Sequence, residues 1–133
     1  TIDRLRAQNV NLVKLFALEH GIRGDGGAGE GIPDSIDPET GLPIVSLYGS
    51  RYKPTPEMLA DVDVIVFDIQ DVGVRFYTYI SSLGLIMEAA AENGRSVMIF
   101  DRPNPNGDYV GGPVMRRENI SFLGAYPIPL VHG

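Results

Sequence analysis

Short apolar runs alternate along the chain with polar clusters that follow them abruptly. The longest switch begins at Val64-Ile65-Val66-Phe67, a β-branched and aromatic run of the kind expected for a strand buried on both faces of a parallel sheet. It passes at once into Asp68-Ile69-Gln70-Asp71 and then Arg75-Phe76-Tyr77-Thr78-Tyr79. Four other runs end the same way: residues 12–18 at Glu19-His20, 44–47 at Tyr48-Gly49, 96–100 at Asp101-Arg102, and 128–131 at His132-Gly133. Between them the period becomes helical. Tyr79 to Glu92 carries a broad apolar face with Asn93-Gly94 as its stop, and Thr55-Pro56 opens a short helix before the run at 63–69. Strand, helix and strand in succession predict a parallel crossover, hence an α/β layered domain with a mainly parallel sheet. In such a sheet all five polar ends meet on one rim, outside the carboxyl ends of the strands, where ligands bind in open α/β folds.

Composition narrows the possibilities. At 133 residues and 44% hydrophobic content the chain suits one domain with a real core, spanning 1–133. A net charge of -6 without any basic cluster excludes a phosphate-binding surface, so neither nucleic acid nor an anionic membrane is expected as a partner. No apolar run has the length of a membrane-spanning helix. With no cysteine there is neither disulfide nor thiolate metal site. The chain opens as the tail of a helix leading into a strand and stops at a strand end, so a piece truncated at both ends of a longer protein is expected.

Two irregular stretches interrupt the pattern. Residues 21–43 hold seven glycines and three prolines, and 102–113 are again rich in Gly, Pro and Asn; long loops of this type in a compact domain are usually functional or mobile. Gly24-Asp25-Gly26-Gly27-Ala28-Gly29 has the spacing of a dinucleotide fingerprint, but the prolines and glycines that follow prevent the helix such a site requires. Asp68 and Gln70 resemble the start of a metal phosphotransferase motif with an amide in place of its second carboxylate, a poor ligand for a hard cation. The two histidines have no zinc spacing. Neither a metal nor another cofactor is expected.

The candidate chemistry is carboxylate chemistry. Glu19, at a strand end beside a loop, is placed for partial desolvation, which would raise its pKa toward that of a general acid; equally it could cap a turn or pair with Arg23. Asp68, Asp71 and Asp101 carry the same two readings, with Asp71–Arg75 and Asp101–Arg102 as possible bracing ion pairs. Tyr77 and Tyr79 are packing residues or sugar-stacking ones.

Four segments in order, Phe16-Ala17-Leu18-Glu19-His20-Gly21-Ile22-Arg23-Gly24, Thr40 to Gly49, Phe67 to Tyr79 and Asp101-Arg102-Pro103-Asn104-Pro105, resemble the NamZ-type exo-β-N-acetylmuramidases. The resemblance covers nearly the whole chain. It implies a Rossmann-like N-terminal domain bearing the active site of a bacterial peptidoglycan hydrolase, without the auxiliary C-terminal domain. It also implies release of terminal N-acetylmuramic acid from non-reducing ends of peptidoglycan-derived saccharides, in the periplasm or outside the cell.

Glycoside hydrolysis needs an acid at the leaving oxygen and a second carboxylate, or the substrate's acetamido group, at the oxocarbenium-like carbon. Glu19 is the expected acid, and Asp71 its partner with Asp68 behind it. The lactyl carboxylate of muramic acid calls for a planar guanidinium, for which Arg23, Arg75 and Arg102 are the candidates. His20, Gln70, Tyr77, Tyr79, Asp101, Asn104 and His132 complete the expected substrate-binding rim. The rival reading is a domain that grips muropeptide without cleaving it.

Overall fold

A computed structural model describes residues 1–24 and 26–132, so Asp25 of the glycine motif and the terminal Gly133 lie outside the described residues. Helix α1 (Ile2–Ala7) leads to strand β1 (Leu15–Ala17), followed by β2 (Ser35–Ile36) and β3 (Pro43–Ser46). A 3₁₀ turn at Glu57–Leu59, strand β4 (Val64–Phe67), helix α2 (Tyr79–Glu92), strand β5 (Ser96–Ile99) and a second 3₁₀ turn at Arg117–Asn119 complete the described order.

Parallel pairing is present, but it is divided between two hydrogen-bonded sheets. β1 lies parallel to β3 with Phe16 opposite Val45, and β2 adds an antiparallel edge to β3. β4 lies parallel to β5, with Ile65 opposite Val97. The expected single five-stranded parallel sheet is therefore corrected to an α/β domain with one mixed and one parallel sheet. The run at 128–131 forms no strand: Val131 makes only isolated antiparallel bridges to Val74 and Gly111. Pro127 and Pro129 explain this, since each removes an N–H that a ladder needs.

A single core joins the sheets. Leu18, Leu47, Leu59, Val62, Ile65 and Phe67 pack with Ile86, Ala89 and Ala90 of α2. The 86, 89, 90 spacing is one face of the helix, and the two alanines bring it close to the β4–β5 sheet. β4 alternates exposed and buried positions instead of being buried on both faces, because Ile65 and Phe67 face the core while Val64 and Val66 stay exposed. Helix α2 has the bounds its periodicity predicts. Its end is a left-handed cap: Gly94 has φ +62, and the N–H of Arg95 reaches back to the carbonyl of Ala90 at 2.8 Å. Among the described residues only the β4–α2–β5 unit has a helical crossover. The connection from β1 to β3 is the glycine- and proline-rich stretch, which leaves the end of β1 free to build a site.

Candidate active site

β1 ends in a tight turn. The N–H of Gly21 bonds the carbonyl of Leu18 at 3.0 Å, with His20 at φ 70 and Gly21 at φ 74. Left-handed backbone is uncommon outside glycine, although histidine is among the residues that tolerate it, and here the His20 ring nitrogen Nδ1 lies 3.0 Å from the carbonyl of Gly26. This turn fixes Glu19 where three other segments converge on its carboxylate. Oε1 accepts from the backbone N–H of Gly29 at 3.1 Å and from the Tyr48 hydroxyl at 2.9 Å; Oε2 accepts from the Thr78 hydroxyl at 2.8 Å. The Tyr79 hydroxyl donates to the main-chain carbonyl of Glu19 at 2.9 Å.

The electrostatics reverse one expectation. Burial acts to raise the Glu19 pKa, but the hydrogen bonds from Thr78, Tyr48 and Gly29, with the nearby His20, outweigh it and hold the carboxyl below its ordinary value. Glu19 is an ionised carboxylate at neutral pH, not an acid with a raised pKa. The Tyr48 phenol moves the other way, to about 12, through burial and then the adjoining Glu19 charge, and so stays a proton donor.

A second polar cluster occupies the ends of β4 and β5. Asp71, Asp101, Arg102, Pro103, Asn104 and His132 line an open cavity of about 520 Å³. Both Nη atoms of Arg102 donate to Asp68 Oδ1 at 2.8 Å, so Asp68 is committed to an ion pair. Asp71 is exposed and accepts a long 3.3 Å bond from the Asn104 amide. Gln70 donates to the carbonyls of Asp71 and Pro103, which ties the two strand-end segments together. Gly73, at φ +67, underlies the cluster: a Cβ there would come 2.6 Å from Asn104 Oδ1 and 2.9 Å from His132 Nε2. The segment from Asp68 to Thr78 thus contributes to both clusters, one at each end.

Several expected roles change. Arg23 neither pairs with Glu19 nor stands free: its guanidinium grips Asp37 through Nε at 3.1 Å and Nη2 at 2.8 Å, and reaches Glu39 at 3.0 Å. It borders a separate cavity of about 430 Å³ under the glycine loop. Arg75 braces the C-terminal segment by donating to the carbonyls of Pro113 at 2.9 Å and Ile128 at 2.7 Å, in place of an ion pair with Asp71. Asp101 accepts from the backbone N–H of Arg102 rather than from its guanidinium. Tyr77 and Tyr79 pack edge to face, with centroids 4.9 Å apart. Arg102, with its side chain 41% exposed, is the arginine of the three that lines the Asp71 cavity.

None of the three donors on Glu19 was among the expected site residues. Tyr48 follows an apolar run, the same signal that marked the other rim residues; Thr78 resembles an ordinary helix N-cap. The Gly29 amide has no signal in a sequence. Among the described residues no group of three His, Asp or Glu side chains is arranged to hold a metal ion.

The profile of the family described as "Exo-beta-N-acetylmuramidase NamZ, N-terminal" matches residues 1–133. The chain belongs to this family. It is 55% identical over 126 residues to the peptidoglycan β-N-acetylmuramidase NamZ of Bacillus subtilis, covering 94% of this chain and 30% of that protein. Two crystal structures of DUF1343 family proteins from Bacteroides fragilis share its fold. One is 51% identical with a TM-score of 0.88 over 100% of this chain, and the other 45% identical with a TM-score of 0.84 over 99%. The chain spans about a third of the length of each of these relatives. Among the described residues no helix is long and apolar enough to cross a membrane.

Proposed function

We propose that this chain is the Rossmann-like active-site domain of an exo-β-N-acetylmuramidase that releases N-acetylmuramic acid from the non-reducing ends of peptidoglycan fragments. The observation that carries the reading is the Glu19 carboxylate, held at the end of β1 by donors from three separate segments, in a family whose Bacillus subtilis member is named for this activity. Assembling three donors around one carboxylate is a costly arrangement for a surface turn and a suitable one for a reacting group.

The lowered pKa of Glu19 gives it the ionised half of the chemistry. A fixed carboxylate stabilises the positive charge that develops at the anomeric carbon, directly or by orienting the substrate's acetamido group for attack. Protonation of the leaving oxygen then falls to another carboxyl group. Asp71 is our choice, because Asp68 is held by Arg102 while Asp71 keeps its carboxyl available in the cavity, where a bound saccharide would desolvate it. Arg102 is positioned on the same cavity to meet the lactyl carboxylate, with His132 and Asn104 beside it. Peptidoglycan lies outside the cytoplasmic membrane, so the reading carries a periplasmic or extracellular location.

The test is hydrolysis of a chromogenic N-acetylmuraminide and the matching N-acetylglucosaminide by the natural protein that carries this chain. A strong preference for the muraminide is expected. Binding of muropeptide without turnover would make the protein a saccharide-binding one instead.

A further inference from the structure

Tyr48 is held at every level. Its backbone N–H donates to the Ser46 hydroxyl oxygen at 3.2 Å, while that hydroxyl donates to the Tyr48 carbonyl at 3.1 Å. Ser46 is itself fixed at the end of β3, its N–H donating to Asp34 at 2.7 Å. The ring meets Tyr52 edge-on, with centroids 5.6 Å apart and planes at 90°, and lies 6.2 Å from Phe122. Tyr52 and Phe122 close on each other at 4.2 Å, so residues from two distant segments buttress one phenol. That phenol ends on Glu19 Oε1.

From this geometry we infer that Tyr48 is a positioning residue for Glu19, fixing the rotation of its carboxylate, with Tyr52 and Phe122 holding the phenol in place. Gly29 and Tyr48 together saturate one side of Oε1, and Thr78 restrains Oε2. Without the phenol, Oε1 keeps a single backbone donor. The carboxylate can then rotate about its last side-chain torsion, which is broad and weakly restrained. A hydrogen bond to the charged form favours that form, so its loss raises the pKa of Glu19. The effect on turnover rests on the catalytic reading of Glu19; the effect on its titration does not.

The experiment is carbon-detected NMR titration of the Glu19 carboxyl in the natural protein that carries this chain, with and without Tyr48→Phe, paired with the pH dependence of kcat/KM for the muraminide. The Glu19 midpoint rises by about one pH unit in Tyr48→Phe, the size of one charge-assisted hydrogen bond. The acidic limb of the rate profile moves up with it, and kcat falls about tenfold while KM changes less than about threefold. If Tyr48→Phe does not fold, the unsubstituted protein supplies the answer: the Tyr48 ring carbon bearing the hydroxyl follows the Glu19 midpoint. An unmoved Glu19 midpoint, or a Tyr48 resonance indifferent to it, overturns the inference. A shifted midpoint in a protein that cleaves no muraminide upholds Tyr48's role and removes the proposed function instead.

Discussion

The Thr78 hydroxyl donates a hydrogen bond to Glu19 Oε2 at 2.8 Å and makes no side-chain capping bond to the helix it precedes. An N-cap threonine normally adopts extended backbone and accepts from the second or third helical N–H. Here φ is -61 and ψ -9, an α-like conformation that forgoes the cap. Helix α2 begins with an unused capping group, and the Glu19 carboxylate sits by its N-terminus, where the helix dipole favours negative charge. A local stability device has been turned over to the site.

Thr78→Val should therefore behave unlike an ordinary cap deletion. Thermal stability falls only by the loss of the Glu19 hydrogen bond, with no capping bond lost in addition. The muraminide kcat/KM falls roughly 10- to 100-fold, the equivalent of one charge-assisted hydrogen bond. Thermal melts and steady-state kinetics on the same variant check both halves.

Selectivity for the muraminide should reside in Arg102. Replacing it by Ala removes roughly 2 kcal/mol or more of transition-state stabilisation on the muraminide and leaves any activity on the glucosaminide unchanged. Arg75→Ala weakens both substrates together, since that side chain braces two backbone carbonyls of the C-terminal segment. The ratio of kcat/KM values for the two substrates separates these outcomes.

Arg23 and Asp37 make an acid-sensitive brace. The Arg23 guanidinium and the Thr40 hydroxyl hold the buried Asp37 carboxyl at about 2, below its unfolded value of roughly 3.9. A depressed folded-state pKa contributes stability that is full above the unfolded value and lost as pH falls through the folded one. Arg23→Ala should melt several degrees lower than the parent at pH 6, and the difference should shrink between pH 4 and 2. Melting curves across that range test the sign.

Gly73→Ala should damage the second cluster without unfolding the domain. The new methyl group would lie 2.6 Å from Asn104 Oδ1 and 2.9 Å from His132 Nε2, at a backbone φ of +67 that disfavours any side chain. We expect impaired turnover with the near-native circular dichroism of a folded domain.

The apolar runs located β1, β3, β4 and β5 and the bounds of α2 because each is a local signal of period or composition. Pairing was less legible. The edge strand Ser35–Ile36 is two residues long and too short to carry a period, and the apolar run at 128–131 is interrupted by proline. Glu19 was legible as a strand-end carboxylate, yet its charge state was not: desolvation was foreseeable, whereas the Gly29 N–H and the Thr78 hydroxyl arrive from loops whose paths no period encodes. Arg23 misled for a similar reason. Its partner Asp37 lies 14 residues away across an irregular loop.

In the proposed function Glu19 acts as an ionised carboxylate at the reacting carbon. The most direct test of that role compares Glu19→Gln with Asp71→Asn in the natural protein that carries this chain, each on the natural disaccharide and on a nitrophenyl muraminide whose leaving group needs little protonation. Loss of the proton donor matters less for such a leaving group, whereas loss of charge stabilisation at the anomeric carbon matters for both. We expect Glu19→Gln to lower kcat about 10²- to 10⁴-fold on both substrates, and Asp71→Asn to be relieved on the nitrophenyl one. Near-parental turnover by Glu19→Gln on the disaccharide, or loss on the disaccharide alone, would rule out that role for Glu19.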